Sequence, residues 1–217
     1  MDATLPAYLG DGRALTAAEV ARLARMTGHI AGMQLAKLAA AGLVCTLKQG
    51  PHTYYRITPA AMAQLDADPR SGASPEGEPR SVQTGPTDLR LRRARTCYGH
   101  LAGRLGVAIA DAFVARGHLI LTPEGGDVTE RGTRFFQTLG IDMSELQQRG
   151  LRAGGVLCRP CVDWSERRLH LGGALARALR NVSVENGWIE CPAGTRSVVV
   201  TRAGSRFYAD TLGVHLD

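Results

Sequence analysis

Lysine is almost absent from this chain of 217 residues: only Lys37 and Lys48 are lysine, and every other formally positive side chain is arginine. No apolar run approaches the roughly 20 residues that a membrane-spanning helix needs, and the chain does not open on a secretory signal. No membrane partner is therefore expected, and a cytoplasmic location is. The 5 cysteines are an odd number without a disulfide-framework spacing, which suits a reducing compartment. The short motifs of catalysis are missing as well: no glycine-rich phosphate loop, no nucleophile elbow, no His-Glu-x-x-His. Glu185 and Glu190 are paired carboxylates with no supporting site around them. A Cys-x-x-Cys is present, but not the βαβ setting in which thiol oxidoreductases carry it. No enzyme and no cofactor are expected.

What is present favours a polyanionic partner. The net charge is +6 and the pI about 9.4, and the apolar content of 44% is ample for a packed core. Residues 16 to 57 read as one compact unit. Thr16 to Ala24 is a short amphipathic helix with Val20, Leu23 and Ala24 on one face. A turn at Arg25 and Met26 leads to Thr27, an N-cap for a second helix running to about Ala41. Gly42 ends it, and a basic β-ribbon follows, Cys45-Thr46-Leu47 and Thr53 to Ile57, with its tip at Lys48 to His52. Helix, turn, helix and hairpin are the parts of a winged helix-turn-helix, whose second helix enters a major groove while the wing reaches phosphates.

In that second helix Ile30, Leu35, Leu38 and Ala41 are expected to point inward. Thr27, His29, Met33, Gln34 and Lys37 are left for DNA, joined by Lys48, Gln49, His52, Tyr54 and Arg56 of the wing. The helix alone would equally suit an ordinary protein surface; the hairpin behind it favours the DNA reading. Both lysines fall in these elements.

A winged helix takes only about 60 to 90 residues, so a further domain is expected. Residues 1–67 form the first, with Ala60 to Ala67 packing behind the wing. Residues 68–87, rich in Pro, Gly and Ser, read as a linker. Residues 88–217 form the second. It should open with a helix capped by Thr87 or Asp88 and running to Arg116, with Leu101, Leu105, Ile109, Ala112 and Phe113 buried. Gly99, Gly103 and Gly106 weaken that helix and suggest a close approach or a break near Gly99. Arg90, Arg92, Arg93 and Arg95 cluster at its start, to touch phosphates or to pair with carboxylates of the second domain.

This second half carries an internal echo. Thr129 to Phe136 is matched by Thr201 to Tyr208, and each copy runs on to Leu-Gly, at Leu139-Gly140 and Leu212-Gly213. Gly117-His118-Leu119 and Gly187-Trp188-Ile189 precede the copies, and Gly42-Leu43-Val44 followed by Thr58 has the same grammar. Two winged-helix-like units packed as one domain are expected. The fold class is therefore α+β, mainly α.

The first module resembles the ArsR-type winged-helix repressors in Gln34-Leu35-Ala36-Lys37-Leu38, Gly42-Leu43-Val44 and the wing end Tyr54-Tyr55-Arg56-Ile57. The second half resembles a larger subgroup of that family through Arg95-Thr96-Cys97-Tyr98-Gly99-His100-Leu101-Ala102-Gly103 and Cys161-Val162-Asp163-Trp164-Ser165-Glu166-Arg167-Arg168. The resemblance covers nearly the whole chain. It implies a homodimeric repressor that leaves operator DNA when an effector binds. The chain departs from the family in having only Leu5 to Leu9 before the Gly10-Asp11-Gly12 break, where a longer dimerisation helix is usual. Leu23-Ala24-Arg25-Met26 stand where metal-sensing members have Cys-Val-Cys, and Gln34 replaces a frequent His.

The effector is not named by the sequence. Cys97, His100, Cys158, Cys161 and Trp164 are the candidate effector residues. Cys158-Arg159-Pro160-Cys161 suits soft metals or dithiol chemistry, and equally two small buried thiols at a helix start. A closed zinc site would need Cys97, His100, Cys191 or His170 brought in by folding, so no metal-ligand set is assigned. Cys97 and His100 are expected on one helix face, as are Asp163, Glu166 and His170, the last reading best as a salt bridge. The expected function is a dimeric operator-binding repressor released by an unknown small molecule, metal or oxidant. The alternatives are a redox or soft-metal switch at Cys158 and Cys161, and a sequence-nonspecific architectural DNA binder.

Overall fold

The computed structural model describes residues 4–67, 84–152 and 155–216. They fall into two compact units divided between Thr84 and Gly85. Most of the segment expected as a linker lies outside the described residues. No helix among those described is long and apolar enough to cross a membrane.

The first unit runs α1 (Thr4–Ala7), β1 (Leu15–Thr16), α2 (Ala17–Ala24), α3 (Gly28–Ala40), β2 (Val44–Gln49), β3 (His52–Ile57) and α4 (Pro59–Ala67). Thr16 and Glu19 cap α2 reciprocally: the Glu19 amide donates to Thr16 Oγ1, and the Thr16 amide donates to Glu19 Oε2. Arg25 closes α2 in the left-handed region at φ 53°, and Thr27 Oγ1 then accepts from the Ile30 amide to start α3. These two caps fix the sharp turn between the helices.

Two details correct the expected packing. The inward stripe of α3 is Ala31 and Leu35 with Leu38 partly covered, so Ile30 is 43% exposed and Ala41 is exposed at the C-cap. The ribbon is also three-stranded, in the order β1-β3-β2. Leu15 and Thr16 pair with Tyr55 and Tyr54, making β3 central rather than an edge. Leu5 and Leu9, with Leu15, Val20, Leu23, Leu35, Val44 and Ile57, form the core of this unit.

The second unit contains α5 (Leu89–Arg93), β4 (Arg95–Cys97), β5 (His100–Ala102), α6 (Gly103–Ala115), β6 (Leu119–Leu121), β7 (Gly126–Val128), α7 (Glu130–Thr138) and α8 (Met143–Arg152). It continues with β8 (Arg159–Val162), β9 (Leu169–Gly172), α9 (Ala174–Glu185), β10 (Ile189–Glu190), β11 (Val199–Val200), α10 (Arg202–Phe207) and a wide helical turn, Tyr208–Leu212. Asp88 does cap its first helix, accepting from the Arg90 amide at 2.8 Å. That helix ends at Arg93 instead of running to Arg116. Tyr98 and Gly99 both take positive φ, 47° and 87°, and so form a two-residue hairpin that turns the chain back on itself. The expected buried stripe Leu101, Leu105, Ile109, Ala112 and Phe113 is buried.

The sequence echo is a structural repeat of hairpin, helix, hairpin, helix. Gly42, Gly117 and Gly187 each end a helix with φ between 65° and 71°. The next residue returns its amide to the helix: Leu43 to the Leu38 carbonyl, His118 to Phe113, Trp188 to Ser183. A threonine then ties the following helix back to that glycine: Thr58, Thr129 and Thr201 donate to the carbonyls of Gly42, Gly117 and Gly187 at 3.0, 2.7 and 2.7 Å. In the second unit the aromatic partners repeat too, with His118 stacked on Phe135 and Trp188 stacked on Phe207. The two copies share one core, in which Phe113, Phe136, Leu175, Ile189 and Tyr208 are buried together.

Candidate functional site

Two hairpins converge inside the second unit. In β4-β5 Cys97 stands directly across from His100; in β8-β9 Cys161 stands directly across from His170. Cross-strand partners project on the same face of a ribbon with Cβ atoms roughly 5 Å apart, so each hairpin presents one thiol beside one imidazole. The hairpins pack against the helices of the opposite copy, β9 on α6 and β5 on α9, and against each other through β5 and β9. That reciprocal packing brings the four side chains together, with their ligand atoms all within 4.8 Å of one another. His100 Nε2 lies 3.0 Å from His170 Nε2, one ring donating and the other accepting. His100, Cys161 and His170 are buried and Cys97 is half-buried.

The two thiols share a hydrogen bond. Cys97 is held well below the ordinary thiol range by its bond with Cys161, and against burial, with further help from His100 and His170. Cys161 is pushed up by that same bond and by burial.

Beside the cluster, Asp163 organises the connection from β8 to β9. Its Oδ1 accepts from the Ser165 and Glu166 amides at 2.9 and 3.0 Å, and its Oδ2 from the Gly103 amide and Arg95 Nη2, each at 2.7 Å. Burial would raise the Asp163 carboxyl, but the Arg95 guanidinium and His170 hold it well below the usual carboxylate range. Arg95 is 0% exposed, donates through Nη1 to the Leu91 carbonyl and Ser165 Oγ, and lies 4.9 Å over the Trp164 ring. Arg95 thus pairs with a carboxylate of the second unit, one of the two roles foreseen for the arginine cluster. Arg93 instead donates to the Leu216 carbonyl and Arg92 to that of Pro86.

Of the five candidate effector residues, Cys97, His100 and Cys161 meet. Cys158 does not: it sits in a bend just before β8, and its thiol packs into the core near Gly126. Trp164 stacks on Arg95 instead of facing the thiols. The Cys-x-x-Cys spans a bend and β8, not a helix start. Cys97 and His100 share a hairpin, not a helix, and His170 lies on β9, where its Nε2 meets that of His100. Sequence reasoning named His170 as a possible zinc ligand but left it out of the candidate effector residues. A signal existed: His100-Leu101-Ala102-Gly103 and His170-Leu171-Gly172-Gly173 each follow a cysteine and lead into a helix. A separate small apolar pocket lies among Leu101, Ile109, Phe113, Trp188, Phe207 and Tyr208, with the Tyr208 hydroxyl donating to Ser183 Oγ at 3.1 Å.

In the first unit, Thr27, His29, Met33, Lys37, Lys48 and His52 are exposed, and His29, Met33 and Lys37 follow one another at helical spacing on α3. Gln49 is half-buried. Tyr54 is buried, at 4% exposure. Arg56 is half-buried and donates to the Gly12 carbonyl at 3.1 Å. Gln34 is half-buried, with Oε1 buried and without a hydrogen-bond partner. Tyr54 is thereby removed from the expected DNA-facing set, and Arg56 and Gln34 move to its edge.

Comparison with known proteins follows the whole chain rather than one unit. A protein of Bacillus subtilis (strain 168) described as the uncharacterized HTH-type transcriptional regulator YdfF is 36% identical over 208 residues, covering 96% of this chain and 90% of that protein. No family model matches the chain. No solved structure matches it.

Proposed function

The chain belongs to the HTH-type transcriptional regulators, and on that premise we propose that it is a winged-helix repressor of the ArsR type. It binds operator DNA as a homodimer and is released by an effector sensed in the second unit. The observation that carries this reading is the exposed face of α3. His29, Met33 and Lys37 stand in a row on a helix held at a sharp capped turn behind α2, with exposed Lys48 and His52 near the tip of the following hairpin. A helix of this kind reads base edges in a major groove, and basic residues of a wing hold phosphates. The relative's description as a regulator favours this over an enzyme.

The effector residues of this reading are Cys97, His100 and Cys161, the three sequence candidates that converge. An effector that binds one conformation better shifts the population toward it, and the DNA-binding geometry with it. The test is fluorescence anisotropy on the DNA upstream of its own gene, with excess random competitor. A repressor prefers that site by roughly 10³-fold or more over random DNA; equal affinity for both would replace the repressor with an architectural DNA binder.

A further inference from the structure

We propose that Cys97, His100, Cys161 and His170 form a closed four-coordinate site for one zinc-class divalent cation, which clamps the two repeats of the second unit together. The donor set itself selects the ion. Two sulfurs and two imidazole nitrogens with no carboxylate favour borderline-soft ions of zinc type and disfavour magnesium and calcium, which take oxygen.

The geometry agrees with that choice. Zinc bonds of about 2.0–2.1 Å to nitrogen and about 2.3 Å to sulfur give a tetrahedron with edges of roughly 3.3 to 3.8 Å. The four ligand atoms already lie within 4.8 Å of one another, and the two Nε2 atoms are 3.0 Å apart. A cation accepts both Nε2 lone pairs at once, whereas a proton shared between the rings satisfies them only as donor and acceptor.

The scaffold is preorganised. Each hairpin supplies one Cys and one His from directly opposed strand positions. The β8–β9 connection is held by Asp163, whose carboxylate also accepts from the Gly103 amide at the start of α6. With β9 on α6 and β5 on α9, an ion at this point bonds to both copies. Four protein ligands leave no open position, the pattern of a structural rather than a catalytic site, so the cation would take the place of the effector assigned to Cys97, His100 and Cys161. Binding here requires no DNA, so the site and the repressor reading stand or fall on different measurements.

The full chain, purified under a non-thiol reductant and stripped with a chelator, is titrated with Co²⁺ and then with Zn²⁺. The expected result is intense visible bands of tetrahedral cobalt with a thiolate-to-cobalt charge-transfer band, saturating at one ion per chain and abolished by one equivalent of zinc. Zinc is also expected to raise the thermal midpoint. Cys97→Ser and His170→Ala should lose the tetrahedral spectrum, while Cys158→Ser and Cys191→Ser keep it. If either of the first two variants fails to fold, the wild-type spectrum still decides. Weak octahedral bands, no uptake, or a Cys97–Cys161 disulfide in place of metal would overturn the proposal. So would loss of the spectrum in Cys158→Ser, which would move the metal to the Cys-x-x-Cys.

Discussion

His100 and His170 meet Nε2 to Nε2 at 3.0 Å although 70 positions separate them in the chain. Each is opposed across its own hairpin by a cysteine. Neither hairpin could hold the arrangement alone, since a ribbon of three or four residue pairs is at best marginally stable in water. Their position is set by the shared core beneath them and by the buried ion pair beside them.

That ion pair gives the first prediction. Arg95 and Asp163 are both fully buried and lie 2.7 Å apart, and Asp163 also holds the Gly103 amide and the turn into β9. Removing one partner leaves the other charged and unpaired, which costs about 3–5 kcal/mol. Asp163→Ala and Arg95→Ala are each expected to lower stability by that amount in urea unfolding, and the double variant by clearly less than the sum. Arg95→Lys should not rescue, because one ammonium cannot serve Asp163, Ser165 and the Leu91 carbonyl from their separate directions. Additive losses would show that the pair does not act as a unit.

The threonine-capped helices give the second. At Gly132 and Gly204 an added Cβ would run into the carbonyls of His118 and Trp188, because α7 and α10 start directly against the chain that leaves the preceding helix. Gly132→Ala and Gly204→Ala are expected to cost about 1–3 kcal/mol each by overpacking. Gly125→Ala meets nothing within 4 Å and should be nearly silent. Thermal unfolding of the three variants side by side checks this; a silent Gly204→Ala would mean that the close approach relaxes freely.

Much of this architecture was legible because punctuation is local. Thr16, Thr27, Asp88, Thr129 and Thr201 cap helices whose first turns follow directly, and Gly42, Gly117 and Gly187 end α3, α6 and α9 by a left-handed residue that sequence marks. The site was only half legible. Cys97 and His100 are three apart, a helical spacing, and the hairpin that separates them rests on Tyr98 in a left-handed conformation, where tyrosine gives no warning. Cys158 and Cys161 looked like one motif, yet Cys158 sits in the bend before β8 with its thiol in the core, while Cys161 stands across the hairpin from His170. His170 joins the site through the crosswise packing of the repeats; the matching His-Leu-x-Gly starts mark the two histidines as equivalent but not as neighbours. The third strand β1 was hidden for a simpler reason: two residues, Leu15 and Thr16, are too few for alternation to show.

The contrast between the cysteines yields the third prediction. Burial pushes the Cys158 thiol up from 9.0 to about 12, with Asp127 adding to the shift, whereas Cys191 is exposed. A maleimide at pH 8 is expected to label Cys191 in the native protein and to spare Cys158 until the chain is unfolded. The linkage has a definite sign. The unfolded thiol loses its proton near pH 9 while the folded one keeps it, so the stabilisation is complete below pH 9. It is lost as pH rises from 9 toward 12. Cys158→Ala should flatten that alkaline loss; an unchanged slope would assign it elsewhere.

The last prediction separates positioning from reading on DNA. Lys37 and Lys48 are exposed on α3 and β2, and each is expected to hold one phosphate. Lys37→Ala and Lys48→Ala should weaken binding to operator and random DNA alike, each reducing the slope of log affinity against log salt by about 1. His29 and Met33 lie on the same exposed face, where base edges would be met, so His29→Ala and Met33→Ala should cost operator binding more than random binding and leave the salt slope alone. Tyr54→Phe supplies the control. Its side chain is buried, so removing the hydroxyl should leave both affinity and salt slope unchanged. A salt slope unaltered in Lys48→Ala would remove the hairpin from the interface, and equal losses on both DNAs for His29→Ala and Met33→Ala would reduce α3 from a reader of sequence to an anchor.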